Sequence, residues 1–253
     1  MRLKLISCEI FYREVCAAIS RSVNTVEVEF LTKGLHDVGA ADMLARLRAT
    51  LDRIEESRYD AVLLGYGLCN NGIVGLTARQ TQLVVPRAHD CITLFLGSKE
   101  RYLDYFNNHP GVFFETTGWL ERGECDGELS QLALGKKLGI TASFDDLAAR
   151  YGEDNARYLQ EELGRMTSHY RQITFIEMGV EPDARFESRA RAKAESRGWV
   201  FEKLRGDSGL IQRLVDGPWH ENEFLIVPPG ETIAAEYDSE IVRLEQRSKG
   251  RNL

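Results

Sequence analysis

The sequence contains no apolar run approaching the ~18–20 residues that a membrane-spanning helix needs. Its opening, Met1-Arg2-Leu3-Lys4, is basic, but Glu9, Arg13 and Glu14 interrupt any signal-peptide core. An excess of positive charge is also missing. Thirty-two Lys and Arg stand against 39 Asp and Glu, a net charge of −7 that repels phosphate backbones and argues against a nucleic-acid partner. No Walker loop, Gly-x-Ser-x-Gly elbow or His-Glu-x-x-His helix is present, which weakens ATP use, serine hydrolysis and zincin proteolysis as readings. The expectation is a cytoplasmic protein with neither nucleic-acid nor membrane partners.

What the chain does have is the balance of a folded domain. Apolar residues make 43% of its 253 positions and charged residues 28%, which excludes disordered, collagen-like and coiled-coil classes. Short apolar runs at Leu3–Ile6, Ala61–Leu64, Gln82–Val85, Val112–Thr116, Ile173–Ile176, Val200–Leu204 and Phe224–Val227 read as strands. Thr25–Leu31 alternates apolar with acidic residues, as a half-buried strand near an edge does. Helical spacing recurs over 9–21, 42–57, 91–107, 143–171, 184–197 and 208–216. Alternating strand and helix predicts an α/β fold with a mainly parallel, Rossmann-like sheet covered by helices on both faces. Two organisations fit: one α/β domain over 1–253, or two packed lobes (roughly 1–118 and 172–240), with a helical insertion at 119–171. The loop 123–127 reads as exposed and the end, 247–251, as a frayed basic tail.

The five cysteines are Cys8, Cys16, Cys69, Cys91 and Cys125, an odd number with no Cys-x-x-Cys, which points to free thiols, metal ligation or catalysis rather than disulfides. Cys8, Cys69 and Cys91 each follow a strand directly. In a parallel sheet all carboxyl ends share one edge, where ligands bind, so neighbouring strands would bring three distant thiols together. Three protein ligands with one open position is the catalytic zinc pattern. An iron–sulfur cluster with one open iron is the alternative, and His89, as a fourth ligand or proton-transfer group, tilts the choice to zinc. Asp90 is placed to cap a helix opening at Cys91, which would favour a Cys91 thiolate, and Arg87 adds positive charge. The competing reading is that these cysteines are packing residues, since free Cys is often simply buried. Cys16 reads as core and Cys125, among acidic residues, as an inert surface thiol.

Other residues have both a bland and a functional reading. Gly65-Tyr66-Gly67 with Gly72 departs from a dinucleotide fingerprint because Asn70 replaces its third glycine. Turn geometry accounts for it, while Gly67 would also admit close backbone approach to a cofactor and Asn70 would orient a polar substrate. Trp119 covers core or stacks on a planar ligand. Ser208, or Asp207 before it, caps a helix or helps hold an anion. His36, His109, His169 and His220 show no partner pattern.

The strings Gly65-Tyr66-Gly67-Leu68-Cys69, Pro86-Arg87-Ala88-His89-Asp90-Cys91-Ile92-Thr93-Leu94 and Thr117-Gly118-Trp119-Leu120 resemble a prokaryotic family catalogued as a domain of unknown function. Its members are commonly encoded beside corrinoid-dependent methyltransferases of the trimethylamine type and their corrinoid proteins. The resemblance thus implies methyl-group metabolism and a corrinoid protein or methyltransferase component as partner. Together these readings predict a metal-dependent enzyme acting on a thiol or small polar substrate. A non-catalytic protein that binds a corrinoid or a methyltransferase component is the alternative. A metal-free enzyme with Cys91 as nucleophile and His89 as base is weaker, because such pairs normally come from separate segments.

Overall fold

A computed structural model describes residues 1–122, 144–159 and 169–246. Cys125 with its loop and the basic tail lie outside the described residues, as does much of the expected insertion. The strands are β1 (Arg2–Cys8), β2 (Thr25–Leu31), β3 (Ala61–Gly65), β4 (Leu83–Pro86) and β5 (Val112–Thr116). They continue with β6 (Gln172–Glu177), β7 (Val200–Arg205), β8 (Phe224–Val227), β9 (Ile233–Ala235) and β10 (Val242–Leu244). The helices used below are α1 (Tyr12–Arg21), α2 (Ala40–Asp52), α3 (Cys91–Leu96) and α4 (Lys99–Asn108). After these come α5 (Thr117–Glu121), α6 (Phe144–Tyr151), α7 (Arg185–Arg197) and α8 (Gly209–Asp216). Among the described residues no helix is long and apolar enough to cross a membrane.

The fold is a mixed α/β one with a mainly parallel central sheet. Its order is β2-β1-β3-β4-β8, parallel except for β8, which runs antiparallel on β4. All five residues of β3 are buried and so are Leu5–Cys8 of β1, as in strands covered on both faces. The edge strand β2 is only half-buried, matching its alternating pattern. A second sheet, β5-β6-β7, is wholly parallel. There α7 buries Phe186, Ala190 and Ala194 against Ile173 and Phe175. The chain thus leaves the first sheet after β4 and returns to it only at β8. Between 91 and 107, where the spacing reads as one helical stretch, there are two helices. Gly97, at φ 81°, ends α3, and the Ser98 hydroxyl caps α4 by accepting from the Arg101 N–H at 3.1 Å.

Two positions on α1 run against the expected pattern. Its buried face is Glu14, Val15 and Ala18, which leaves Cys16 exposed rather than in the core. The helical turn rotates position 16 away from 15 and 18. Glu14 is only 1% exposed, and neither of its carboxylate oxygens has a hydrogen-bond partner among the described residues. Burial pushes its carboxyl up to about 7. A raised carboxyl contributes stability that is full below the ordinary value near 4.5 and is lost as pH climbs through 7. Glu14→Leu is therefore expected to stabilise the protein at pH 8 by on the order of 2–3 kcal/mol, with a smaller gain at pH 5. Urea unfolding at both pH values measures this, and identical pH slopes in the two proteins would refute it.

Candidate functional site

Four parallel strands end on one edge of the central sheet, and the segments leaving them build the site. Cys8 is the last residue of β1 and sits opposite Leu31 of β2. The strand order reverses at β1, with β2 on one side and β3 on the other, which is where open α/β sheets leave a ligand crevice. The segment after β3 carries Tyr66, Gly67 and Cys69, and the one after β4 carries His89, Asp90 and Cys91.

These last two segments are zipped together through their backbones. The N–H of Leu68 donates to the Ala88 carbonyl at 2.8 Å, and that of Cys69 to the His89 carbonyl at 3.1 Å. A Cβ on Gly67 would stand 2.9 Å from the Ala88 oxygen and from the Asp90 nitrogen, so only glycine admits this spacing. Gly67 thus makes its close approach to the neighbouring loop. Beyond the zip, Cys69, Asn70 and Asn71 have φ of 43°, 55° and 64°, three successive left-handed residues. Such residues cost roughly 1–2 kcal/mol each, less for Asn than for most. Asn70 is exposed and outside the cavity wall, and its amide type suits this turn.

Cys8, Cys69 and Cys91 line one small cavity together with Tyr66, Trp119 and His36. The free space there is about 20 Å³, room for a single water-sized guest. Every one of the three sulfurs accepts an N–H. The Ile10 backbone serves Cys8, those of Gly67 and Cys91 serve Cys69, and the Trp119 indole serves Cys91. The Tyr66 hydroxyl, in a residue 3% exposed, has no partner among the described residues.

Burial dominates the charge state. It pushes the Cys8 and Cys69 thiols up to about 12 and raises Cys91 as well, with the Asp90 carboxylate adding to the rise at Cys69 and Cys91. The expectation of a Cys91 thiolate at a helix start is thus reversed for the empty site. Asp90 does cap α3, accepting from the N–H groups of Ile92 at 2.9 Å and Thr93 at 3.4 Å. The first N–H of that helix, on Cys91, goes to the Cys69 sulfur instead. Among the described residues no three His, Cys, Asp or Glu side chains stand ready-placed to ligate a metal ion.

A larger cleft of about 550 Å³, within the range of small-molecule sites, adjoins the cavity and shares Cys91, His36 and Trp119 with it. Its apolar wall includes Phe106, Phe113, Phe114 and Tyr170 from the second sheet and its flanks. Lys33, Arg189 and Lys193 face it alongside Asp37, Asp90 and Glu115. Lys193 is ion-paired with Glu115, and the Lys33 ammonium lies 5.1 Å from the Trp119 ring centre. The Tyr102 hydroxyl donates to Asp90 at 3.1 Å, fixing that carboxylate at the cleft's edge.

The remaining expected site residues lie elsewhere. Arg87 points away, its guanidinium donating to the carbonyls of Glu221, Glu240 and Val242, so it tethers the β8–β10 segment. His89 lines neither space, and its ring lies 5.9 Å from that of Tyr102. Ser208 precedes α8 without a capping bond and is likewise outside both spaces. Sequence reasoning missed His36 and the Tyr66 hydroxyl. His36 follows β2 on the same sheet edge as the cysteines, and its ring meets Trp119 edge-on at 5.1 Å. Extending the strand-exit argument from Cys to His would have found it.

The raised thiols make the metal-free protein alkali-sensitive. A thiol raised from its ordinary value near 9 contributes stability that is full below pH 9 and is lost toward pH 12. Unfolding midpoints should fall progressively over that interval, while iodoacetamide at pH 8 labels exposed Cys16 well before the buried trio. Rapid labelling of Cys8 and Cys91 in the native protein would contradict this picture.

A model of the family described as "Protein of unknown function (DUF1638)" matches residues 30–215. No curated protein and no solved structure matches the chain.

Proposed function

The chain belongs to this family of unknown function, and we propose from its own residues that it is a metal-dependent enzyme. In this reading Cys8, Cys69 and Cys91 hold one metal ion, zinc favoured, and the adjoining cleft brings a thiol or small polar substrate to it. The observation that carries the reading is the set of N–H donors aimed at all three sulfurs around one cavity. A neutral thiol gains little as an acceptor, whereas a metal-bound thiolate is stabilised and tuned by such donors. Room for one water-sized guest favours a single ion over an iron–sulfur cluster, which would have to push the walls apart.

Three protein sulfurs leave a fourth position open, the catalytic arrangement of zinc. Zinc supplies Lewis acidity there, lowering the pKa of a bound thiol or water. The chain's own groups do the rest. Trp119 and His36 form the passage between cavity and cleft, the aromatic wall excludes water, and Asp90 and the Lys193–Glu115 pair offer polar anchors. His36, at that junction, takes the proton-transfer role first considered for His89. The encoding of relatives beside corrinoid-dependent methyltransferases makes methyl transfer to such a substrate the reaction proposed here, with a corrinoid protein or methyltransferase component as partner.

Because the thiols are pushed up by burial, loading the site must displace their protons, so affinity should rise with pH through the neutral range. Protein purified without air is expected to carry about one zinc per chain. Cys8→Ser, Cys69→Ser and Cys91→Ser should each lower metal affinity at least ~10-fold, the scale seen even for outer-shell changes, whereas Cys16→Ser leaves it intact. Elemental analysis and competitive chelation measure this. A folded wild-type protein that takes up no zinc or iron would defeat the reading.

A further inference from the structure

Tyr66 carries an inference that rests on the metal reading and goes beyond it. The ring leaves β3 at the strand end, lies in the wall of the sulfur cavity and is 3% exposed. Its hydroxyl oxygen is sealed from solvent and has no hydrogen-bond partner among the described residues. The charges of Cys8 and Cys69 bear on it, so it stands close to both sulfurs. A phenylalanine would fill the same volume without leaving a buried donor unpaired, a deficit that native interiors rarely tolerate. Burial also raises this phenol well above its ordinary value, so it remains an O–H group with a proton to donate. The sulfurs already face the N–H groups of Ile10, Gly67, Cys91 and Trp119, and none of them pairs with this hydroxyl.

We infer that the open position beside the three sulfurs takes a small oxygen-bearing or anionic ligand, and that the Tyr66 hydroxyl donates a hydrogen bond to it. The ligand class is set by the donor: the atom facing Tyr66 must be an acceptor, such as a water or hydroxide oxygen or a substrate carboxylate. Tyr66 is thus a specificity residue for what occupies that position, selecting acceptors over apolar guests of equal size.

The test uses the full chain loaded with cobalt(II), with azide as the anionic probe, comparing wild type with Tyr66→Phe. In wild type, azide should shift the cobalt absorption bands. In Tyr66→Phe, cobalt uptake should be unchanged while azide binds at least ~10-fold more weakly, the scale of a lost hydrogen bond to a charged acceptor. A metal-free readout accompanies it. Removing an unpaired buried hydroxyl should raise the melting temperature of the empty protein by about 2–4 °C. Equal azide affinity in the two proteins, or a wild-type cobalt form that ignores azide, overturns the inference and leaves the metal reading standing. A lower melting temperature for empty Tyr66→Phe overturns it too, because the hydroxyl would then have a native partner. Absence of thiolate-to-cobalt charge-transfer bands in both proteins removes the metal reading and this inference together.

Discussion

The parallel pairing of β1, β2, β3 and β4 is the constraint on which the rest depends. In a parallel sheet the direction of each strand is shared, so every chain exit at the carboxyl end opens on the same edge. Residues 8, 36, 69 and 91, far apart along the chain, are neighbours for that reason alone. The backbone zip between the segments after β3 and β4 then narrows the gap further than side-chain packing would allow. Gly67 is what permits it, since any Cβ there would collide with backbone rather than with a movable side chain. The left-handed run at Cys69–Asn71 is part of the same closure, turning the chain back while leaving the Cys69 sulfur inside. Local strain is tolerated where surrounding hydrogen bonds over-determine the geometry, as they do here.

How much of this was legible in the sequence follows from the range over which each feature is encoded. Strands such as Ala61–Gly65 and Leu83–Pro86 are written in consecutive residues, and their apolar runs identify them. Asp90 as the cap of the helix at Cys91 is equally local, a matter of one carboxylate and the next two N–H groups. The shared sheet edge of Cys8, Cys69 and Cys91 needed only the additional premise of parallel pairing. Which strand joins which sheet is not local at all. Val112–Thr116 and Phe224–Val227 look alike as apolar runs, yet one opens a second sheet and the other returns antiparallel to the first.

The site residues divide along the same line. Arg87 sits in a distinctive string, but its direction is decided by carbonyls more than 130 positions later in the chain, which no local pattern announces. Cys16 was misplaced because small apolar neighbours at 17–19 suggested core, while the helical phase set by Val15 and Ala18 turns it outward. The Tyr66 hydroxyl could not be singled out by type or spacing, because an unpaired donor is a property of the assembled surroundings. His36 had the right position but no partner in its own segment, and its relation to Trp119 exists only across the fold.

The charge state of the cysteines ties architecture to chemistry. Two opposed effects act on the same three sulfurs: burial favours the neutral thiol, and converging N–H donors favour the thiolate. In the empty site burial wins, which keeps the trio protonated and protects it from alkylation and oxidation, since the thiolate is the reactive form. A cation changes the balance, because its charge removes the penalty for burying negative sulfur while the donors are already in place. An enclosure of this kind costs little reorganisation on loading, so most of the electrostatic gain goes into holding the ion. Purely structural packing would have no use for those donors, and a surface-exposed metal site would not need the burial. Their coexistence at one sheet edge, beside an aromatic cleft large enough for a small molecule, is what makes a guarded metal centre the reading most consistent with the geometry.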